Sequence, residues 1–92
     1  MEYLVRMEVG SIPPGREPEL RAAEAARAKE LAAAGVLKRI WRIPGRRANW
    51  GIWEAPDADR LHEALSSLPL FPYLDVSVQP LATHPNDPGL SA

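Results

Sequence analysis

The chain has 92 residues, which is enough for one domain, and a domain of this size buries only a modest share of its surface. Its 11 basic and 12 acidic side chains leave a net charge of -1, which argues against a nucleic-acid partner because phosphates attract a positive field. The absence of cysteine excludes disulfides, thiolate metal sites and cysteine nucleophiles.

The N-terminal segment MEYLVRMEVG does not have the pattern of a secretion signal, because a basic stretch followed by an apolar one is missing. No window approaches the roughly 18 apolar residues that a membrane span requires. We therefore expect a cytoplasmic protein without membrane contact, organised as a single domain over residues 1–92.

A strand and a helix are predicted in the N-terminal half. Tyr3, Val5, Met7 and Val9 occupy alternate positions, which is the period of a strand with one face against a core. The Pro- and Gly-rich segment SIPPGREP ends this strand. The alanine-rich run 18–34 then predicts a helix, and the glycine that follows it is placed to terminate it.

A β-hairpin is predicted in the middle of the chain. The segments 36–43 and 48–54 are rich in β-branched and aromatic residues, and the PGRR between them has the residue types of a turn. The pattern does not assign which residues of these two strands face the core.

The C-terminal third predicts a second helix and a fourth strand. Asp57 is the expected N-cap of the helix, whose leucines recur at helical spacing, and Pro69 ends it. Alternation after LFPY predicts the strand, which we expect Pro80 to stop. The tail, residues 82–92, is polar and rich in Pro and Gly, so we expect it to be disordered or packed against a neighbouring subunit.

The predicted order is βαββαβ, which favours an α+β fold with a four-stranded antiparallel sheet and both helices on one face. The other face of the sheet is then uncovered. In so small a domain a second copy commonly buries such a face, so we expect a homo-oligomer built from dimers.

Glu24 is the most unusual residue of the first helix, because it falls in the middle of the apolar side. One hypothesis is a partly buried ion pair with Arg27, at i, i+3 spacing. The other is that Glu24 borders a cavity and acts as a general base whose pKa is raised by desolvation. A nearby Arg27 would oppose that rise.

The hairpin carries polar side chains that suit an anionic ligand. Arg39 and Arg42 are expected on opposite faces of its first strand, and Asn49 on its second strand can donate to an oxyanion. For the turn residues Arg46 and Arg47 simple solvation is the favoured interpretation, and the mouth of a site is the nearest to a ligand that we expect them to lie.

The tryptophan and histidine side chains are expected to have structural roles more often than catalytic ones. Trp41, Trp50 and Trp53 bring apolar area with an N–H that needs a partner, which favours core or interface positions. His62 and His84 are isolated, so they are expected to be solvated or structural. Neither a metal site nor a phosphate loop nor a nucleophile motif is recognisable.

Three segments carry a family resemblance: IWRIPGRRANWGIW, LHEALSSLPLFPYLDVSV and PLATHP. In this order they resemble the muconolactone delta-isomerase family, and LPLFPYLDV is the most specific part because two prolines bracket a phenylalanine inside an apolar run. The resemblance covers nearly the whole chain. It implies a ferredoxin-like fold of the dimeric α/β barrel type, a dimer-based oligomer up to a decamer, and no cofactor or metal.

The resemblance also implies a reaction on a small anionic lactone. Members move the ring double bond of muconolactone to give 3-oxoadipate enol-lactone in bacterial breakdown of aromatic compounds through catechol. Glu24 aligns with a helix glutamate of the family and is the expected base, and Asn49 is the expected donor to the dienolate oxygen. Arg42 is the expected clamp for the substrate carboxylate. Three further residues are predicted to contact the substrate, namely Arg39, Trp41 and Trp50.

Two positions depart from well-known members, which have a tyrosine where this chain has Arg47 and a leucine where it has Arg27. The exact lactone therefore stays open at this point. Two alternatives also stay open: another cofactor-independent enzyme of the same fold, such as a small monooxygenase or a dehalogenating lactone enzyme, and a binding module without turnover. A cavity lined by Glu24, Arg42 and Asn49 would favour an enzyme over the module.

Overall fold

The computed structural model describes residues 1–90, which form one antiparallel sheet and two helices. The elements are β1 (Glu2–Val9), α1 (Glu17–Ala33), β2 (Leu37–Arg42), β3 (Ala48–Glu54), α2 (Ala58–Ser66), a 3-10 turn (Phe71–Tyr73) and β4 (Leu74–Leu81). The strands lie in the order β2-β3-β1-β4, and every neighbouring pair is antiparallel. The predicted α+β architecture, ferredoxin-like with four strands, is confirmed.

The core lies between the helices and one face of the sheet, which we call the helix face. Alternate residues of β1 and the Trp53 side chain of β3 bury there, as the period of two predicts. They pack against leucines from both helices and from the segment after α2, namely Leu31, Leu61, Leu65 and Leu68. The opposite side, which we call the open face, is covered by neither helix.

Local signals set the helix ends close to where the sequence places them. Gly35 has a φ of 78°, and the N–H groups of Gly35 and Val36 donate to the carbonyls of Ala32 and Leu31. This is the Schellman arrangement, in which glycine tolerates the left-handed conformation that ends a helix. At the start of α2, the Asp57 side chain accepts from the Arg60 N–H at 2.8 Å, which confirms the predicted N-cap.

The register of β2 decides which of its side chains reach the helix face. Leu37 pairs with Trp53 of β3, but Arg39 pairs with Ile52, so the register shifts by one residue between them. Beyond the shift, Ile40 pairs with Gly51. Because successive residues alternate between faces, the shift brings Ile40 and Arg42 to the helix face.

The prediction that Pro80 stops the last strand is wrong. β4 continues to Leu81, and Pro80 pairs with Tyr3 of β1. Within residues 1–90, β4 pairs only with β1, and an edge strand tolerates proline because a missing N–H can point away from the sheet.

Residues 82–90 form turns and carry no strand or helix, while residues 91–92 of the predicted tail lie outside the described residues. Packing of this tail against a neighbouring subunit stays a prediction. Neither helix in the described part of the chain is both long enough and apolar enough to cross a membrane.

Candidate active site

Two adjoining cavities lie on the helix face. The Glu24 cavity has a volume of about 210 Å³ and is lined by residues of α1, β1, β2 and β3 and by Leu68 and Leu70. The Arg42 cavity has a volume of about 280 Å³ and extends toward the hairpin turn. Three residues line both cavities, namely Arg21, Ile40 and Asn49. The two spaces are therefore neighbouring parts of one site.

Glu24 is half-buried at the wall of its cavity. Its Oε1 accepts a hydrogen bond from the backbone N–H of Leu70 at 3.0 Å. Burial raises the pKa of the Glu24 carboxyl above its ordinary value, and the Leu70 N–H and the charge of Arg21 partly oppose this rise. The rise makes the carboxylate a stronger base than an exposed one and brings its pKa toward neutral pH, where a group can serve as both base and acid.

Arg27 does not pair with Glu24. Its Nε donates to the Ser67 hydroxyl at 3.0 Å, and its guanidinium lies 3.8 Å from Glu30. Within residues 1–90 no ion pair joins Arg27 to Glu24, so the ion-pair hypothesis is wrong. The arginine that acts on Glu24 is Arg21, which sequence reasoning missed although it lies one helical turn before Glu24.

Arg42 and Asn49 face the cavities from the sheet. They pair with each other across β2 and β3, and Asn49 also pairs with Met7 of the core. Within residues 1–90 the Arg42 guanidinium has no ion-pair partner. The Asn49 Oδ1 and the Trp53 Nε1 are buried without hydrogen-bond partners in the same part of the chain. Unpartnered buried polar atoms are uncommon, and here both belong to residues that line the Glu24 cavity.

The other predicted ligand contacts are not brought together with Glu24. The pairing of Trp41 with Trp50 and of Arg39 with Ile52 directs these side chains to the open face. The Arg39 guanidinium stacks 4.7 Å from the centre of the Trp41 ring. Trp41 is also among the residues that line the Arg42 cavity, whereas Arg39 and Trp50 line neither cavity.

The two turn arginines are exposed but not simply solvated. Arg46 Nη2 lies 2.8 Å from Glu8, and Arg47 donates to Glu17 at the start of α1. The second contact joins the hairpin turn to the first helix beside the Arg42 cavity, which Arg47 also lines. Arg47 therefore lies at the Arg42 cavity, which is the nearest position to a site that the sequence interpretation allowed for it.

The histidines lie outside both cavities. His62 is exposed on α2 and meets the Phe71 ring edge to face at 6.1 Å between centroids. His84 accepts from the Asn86 N–H within a local turn. Among the residues that the structure describes, no group of three or more metal-ligating side chains comes together.

Comparison with known proteins identifies the family. A family model described as muconolactone delta-isomerase matches residues 1–87. A muconolactone delta-isomerase of Cupriavidus pinatubonensis is 40% identical over 89 residues, covering 94% of this chain and 97% of the relative. One from Rhodococcus opacus is 42% identical over 89 residues, covering 92% of this chain and 95% of the relative.

Solved structures agree with this result. The crystal structure of a muconolactone isomerase superposes with a TM-score of 0.89 at 34% identity, covering 99% of this chain and 98% of that one. A 5-chloro-2-hydroxyhydroquinone dehydrochlorinase of Burkholderia phenoliruptrix has a TM-score of 0.69 at 17% identity, covering 91% and 96% of the two chains, so it shares the fold. The chain belongs to the muconolactone delta-isomerase family.

Proposed function

We propose that the chain catalyses the muconolactone delta-isomerase reaction, in which the ring double bond of muconolactone moves to give 3-oxoadipate enol-lactone. The observation that carries the proposal is the half-buried Glu24 carboxyl, which lines a cavity together with Asn49 and has a raised pKa. Membership of the family supports the reaction type. The chemistry consists of two proton transfers, for which carboxyl and amide groups suffice without cofactor or metal.

In the first step the Glu24 carboxylate removes the ring proton that the lactone carbonyl acidifies through the conjugated double bond. The electrons of the C–H bond shift through the conjugated double bond and leave a dienolate with its negative charge on the lactone carbonyl oxygen. In the second step the protonated Glu24 returns the proton to the carbon next to the carbonyl. One carboxyl serves both steps, and its raised pKa keeps the proton available for return.

Asn49 and Arg42 are the polar groups that we assign to the substrate. The Asn49 amide N–H donates to the lactone carbonyl oxygen and stabilises the dienolate. The Arg42 guanidinium holds the carboxylate arm in the adjoining cavity, because its planar fork matches a carboxylate and has no ion-pair partner within residues 1–90. Contact of the substrate with Arg39, Trp41 and Trp50 stays a prediction, and for Trp50 the open face favours packing against another subunit.

The alternative of a binding module without turnover receives less support. It requires Glu24 and Arg27 to form a structural pair with no cavity, whereas Arg27 contacts Ser67 and Glu24 borders a space of about 210 Å³. The similarity to the dehydrochlorinase concerns the fold alone. An assay with muconolactone and a chlorinated analogue side by side separates isomerisation from dehalogenation.

We also infer that the protein is a cytoplasmic homo-oligomer in which a second copy covers the open face. Trp41 and Trp50 are 44% and 39% exposed there, which is high for such large apolar side chains. The same face carries Arg6 and Arg39 together with acidic side chains, namely Glu2, Glu8, Glu54 and Asp75. A face with both signs of charge can complement its own copy about a two-fold axis.

The test of the proposed function is turnover of muconolactone by the wild type and Glu24→Gln, followed by absorbance. We expect the variant to lose activity by roughly 10²–10⁴-fold, because an amide keeps the shape of the side chain but cannot accept the proton. Glu30→Gln is the matched control, since Glu30 is an exposed glutamate of the same helix that lines neither cavity. Full activity of Glu24→Gln would falsify the assignment of the base.

A further inference from the structure

Arg21 is the charged residue that the two cavities share. It projects from α1 one turn before Glu24 and lines both the Glu24 cavity and the Arg42 cavity. The other two shared residues, Ile40 and Asn49, carry no charge. A ligand that reaches from one cavity into the other therefore passes Arg21.

The contacts of Arg21 are weak and shared. Its Nε lies 3.3 Å from the Glu17 Oε1, and Arg47 donates to the same carboxylate oxygen. All three side chains are roughly half exposed. Exposed ion pairs of this kind contribute little to stability, because water screens them and ordering long side chains costs entropy. Arg21 can therefore exchange Glu17 for another anion at low cost.

The charges around the Arg42 cavity favour an incoming anion. Three arginines line it, namely Arg21, Arg42 and Arg47, and within residues 1–90 Glu17 is the single carboxylate paired with any of them. One carboxylate among three guanidinium groups leaves the cavity positive. A carboxylate that enters it is attracted and can accept hydrogen bonds from more than one arginine.

We propose that Arg21 is a second substrate-binding residue, which releases Glu17 and donates to the carboxylate of the bound lactone opposite Arg42. The carboxylate arm is then held between a helix arginine and a strand arginine, at the junction of the two cavities. This places the lactone ring toward Glu24 and Asn49. The inference rests on the proposed isomerase function and adds to it the residue that fixes the position of the anionic arm.

The experiment compares three variants with the wild type by steady-state kinetics on muconolactone. Arg21→Gln should raise KM on the order of tenfold or more, because it removes charge-assisted hydrogen bonds to the substrate. Glu17→Gln breaks the same Arg21 to Glu17 ion pair but leaves the arginine available, so its KM should stay equal or fall. Arg21→Lys should restore part of the lost affinity, because it returns the charge without the planar fork.

Arg16→Gln is the matched control. Arg16, the residue just before α1, forms an exposed ion pair with Glu19 of that helix at 2.8 Å and lines neither cavity. We expect its KM to equal that of the wild type. If Arg21→Gln behaves like Arg16→Gln, or if Arg21→Gln and Glu17→Gln raise KM equally, Arg21 is structural and the inference is overturned.

A binding measurement keeps this inference separate from the proposed function. The probe is the saturated analogue of muconolactone, a lactone with the carboxymethyl arm and no ring double bond, titrated calorimetrically into the wild type, Arg21→Gln and Arg16→Gln. Weaker binding to Arg21→Gln than to Arg16→Gln supports the inference, and equal binding overturns it. A wild type that does not turn over muconolactone would instead overturn the proposed function.

Discussion

Two glutamates on opposite sides of the sheet show how differently its two faces act on the same side chain. Glu24 lies among the residues of the helix side, where burial raises its pKa. Glu8 lies on the open face, where hydrogen bonds from Arg46 and Arg6 lower its pKa. The helices exclude water from one side, so a carboxyl there becomes suited to proton transfer, whereas the other side offers charges that keep a carboxylate ionised.

Trp50→Glu is expected to have the largest effect on the open face. A charge in the middle of an apolar contact should weaken association between subunits by roughly thirtyfold or more, since tryptophans at such positions are frequent hot spots. Analytical ultracentrifugation over a concentration series measures the change. Weaker association of Trp50→Glu would show that the open face carries the contact between subunits.

Val78→Glu is the control for that prediction. Val78 is 41% exposed, close to the 39% of Trp50, but it pairs with Val5 and so belongs to the helix face. We expect the Val78→Glu variant to associate as strongly as the wild type. Loss of assembly in Val78→Glu together with retention in Trp50→Glu would show that the helix face carries the subunit contact.

Arg42→Lys is expected to have the next largest effect, this time on the helix face. A point charge replaces a planar fork, so KM for muconolactone should rise roughly tenfold while kcat changes little. Arg39→Lys makes the same change on the same strand but on the open face. A rise in KM for Arg39→Lys alone would reverse the roles assigned to the two faces, and an unchanged KM for Arg42→Lys would remove it from the clamp role.

The smallest expected effect is an opposite pH dependence of stability for the two glutamates. With a raised pKa, folded Glu24 binds more protons than the unfolded chain between its ordinary value of 4.5 and the raised value. The free energy of unfolding therefore falls as the pH rises through that window. With a lowered pKa, Glu8 stabilises the folded state above its ordinary value, and this contribution is lost as the pH falls through its folded pKa.

Urea denaturation of the wild type, Glu24→Gln and Glu8→Gln across acidic pH measures these slopes. The stability of the wild type relative to Glu24→Gln should decrease as pH rises, and its stability relative to Glu8→Gln should increase. Slopes of the same sign for both variants would contradict the difference between the two faces.

Much of the fold follows from local patterns. Alternation predicted β1, the bounds of β3 are the predicted 48–54, and Asp57 and Gly35 act at the ends of helices as their residue types indicate. Pro80 was misjudged, because whether a proline interrupts a strand depends on whether that strand lies at an edge. Strand order is a property of the sheet and not of the segment.

The candidate site was predicted in part. The position of Glu24 on the apolar side of α1 and the family segments indicated Glu24, Arg42 and Asn49, which the structure brings to adjoining cavities. Arg21 was missed, because an arginine one helical turn from a glutamate is usually part of a solvated ion pair. Its part in both cavities depends on how α1 lies over β2 and β3, which spacing along the helix does not contain.

The sequence by itself determined the order of elements, the start of α2, the end of α1, the family and the position of the Glu24 carboxyl on the apolar side of α1, because each depends on neighbours along the chain. The tertiary structure decided which residues of β2 face the helix side of the sheet, where the two cavities lie. A continuous alternation from Leu37 would bring Arg39 and Trp41 to the helix face, but the register shift brings Arg42 there instead. Pairing with β3 sets this register, and packing beneath α1 supplies the desolvation that raises the pKa of Glu24.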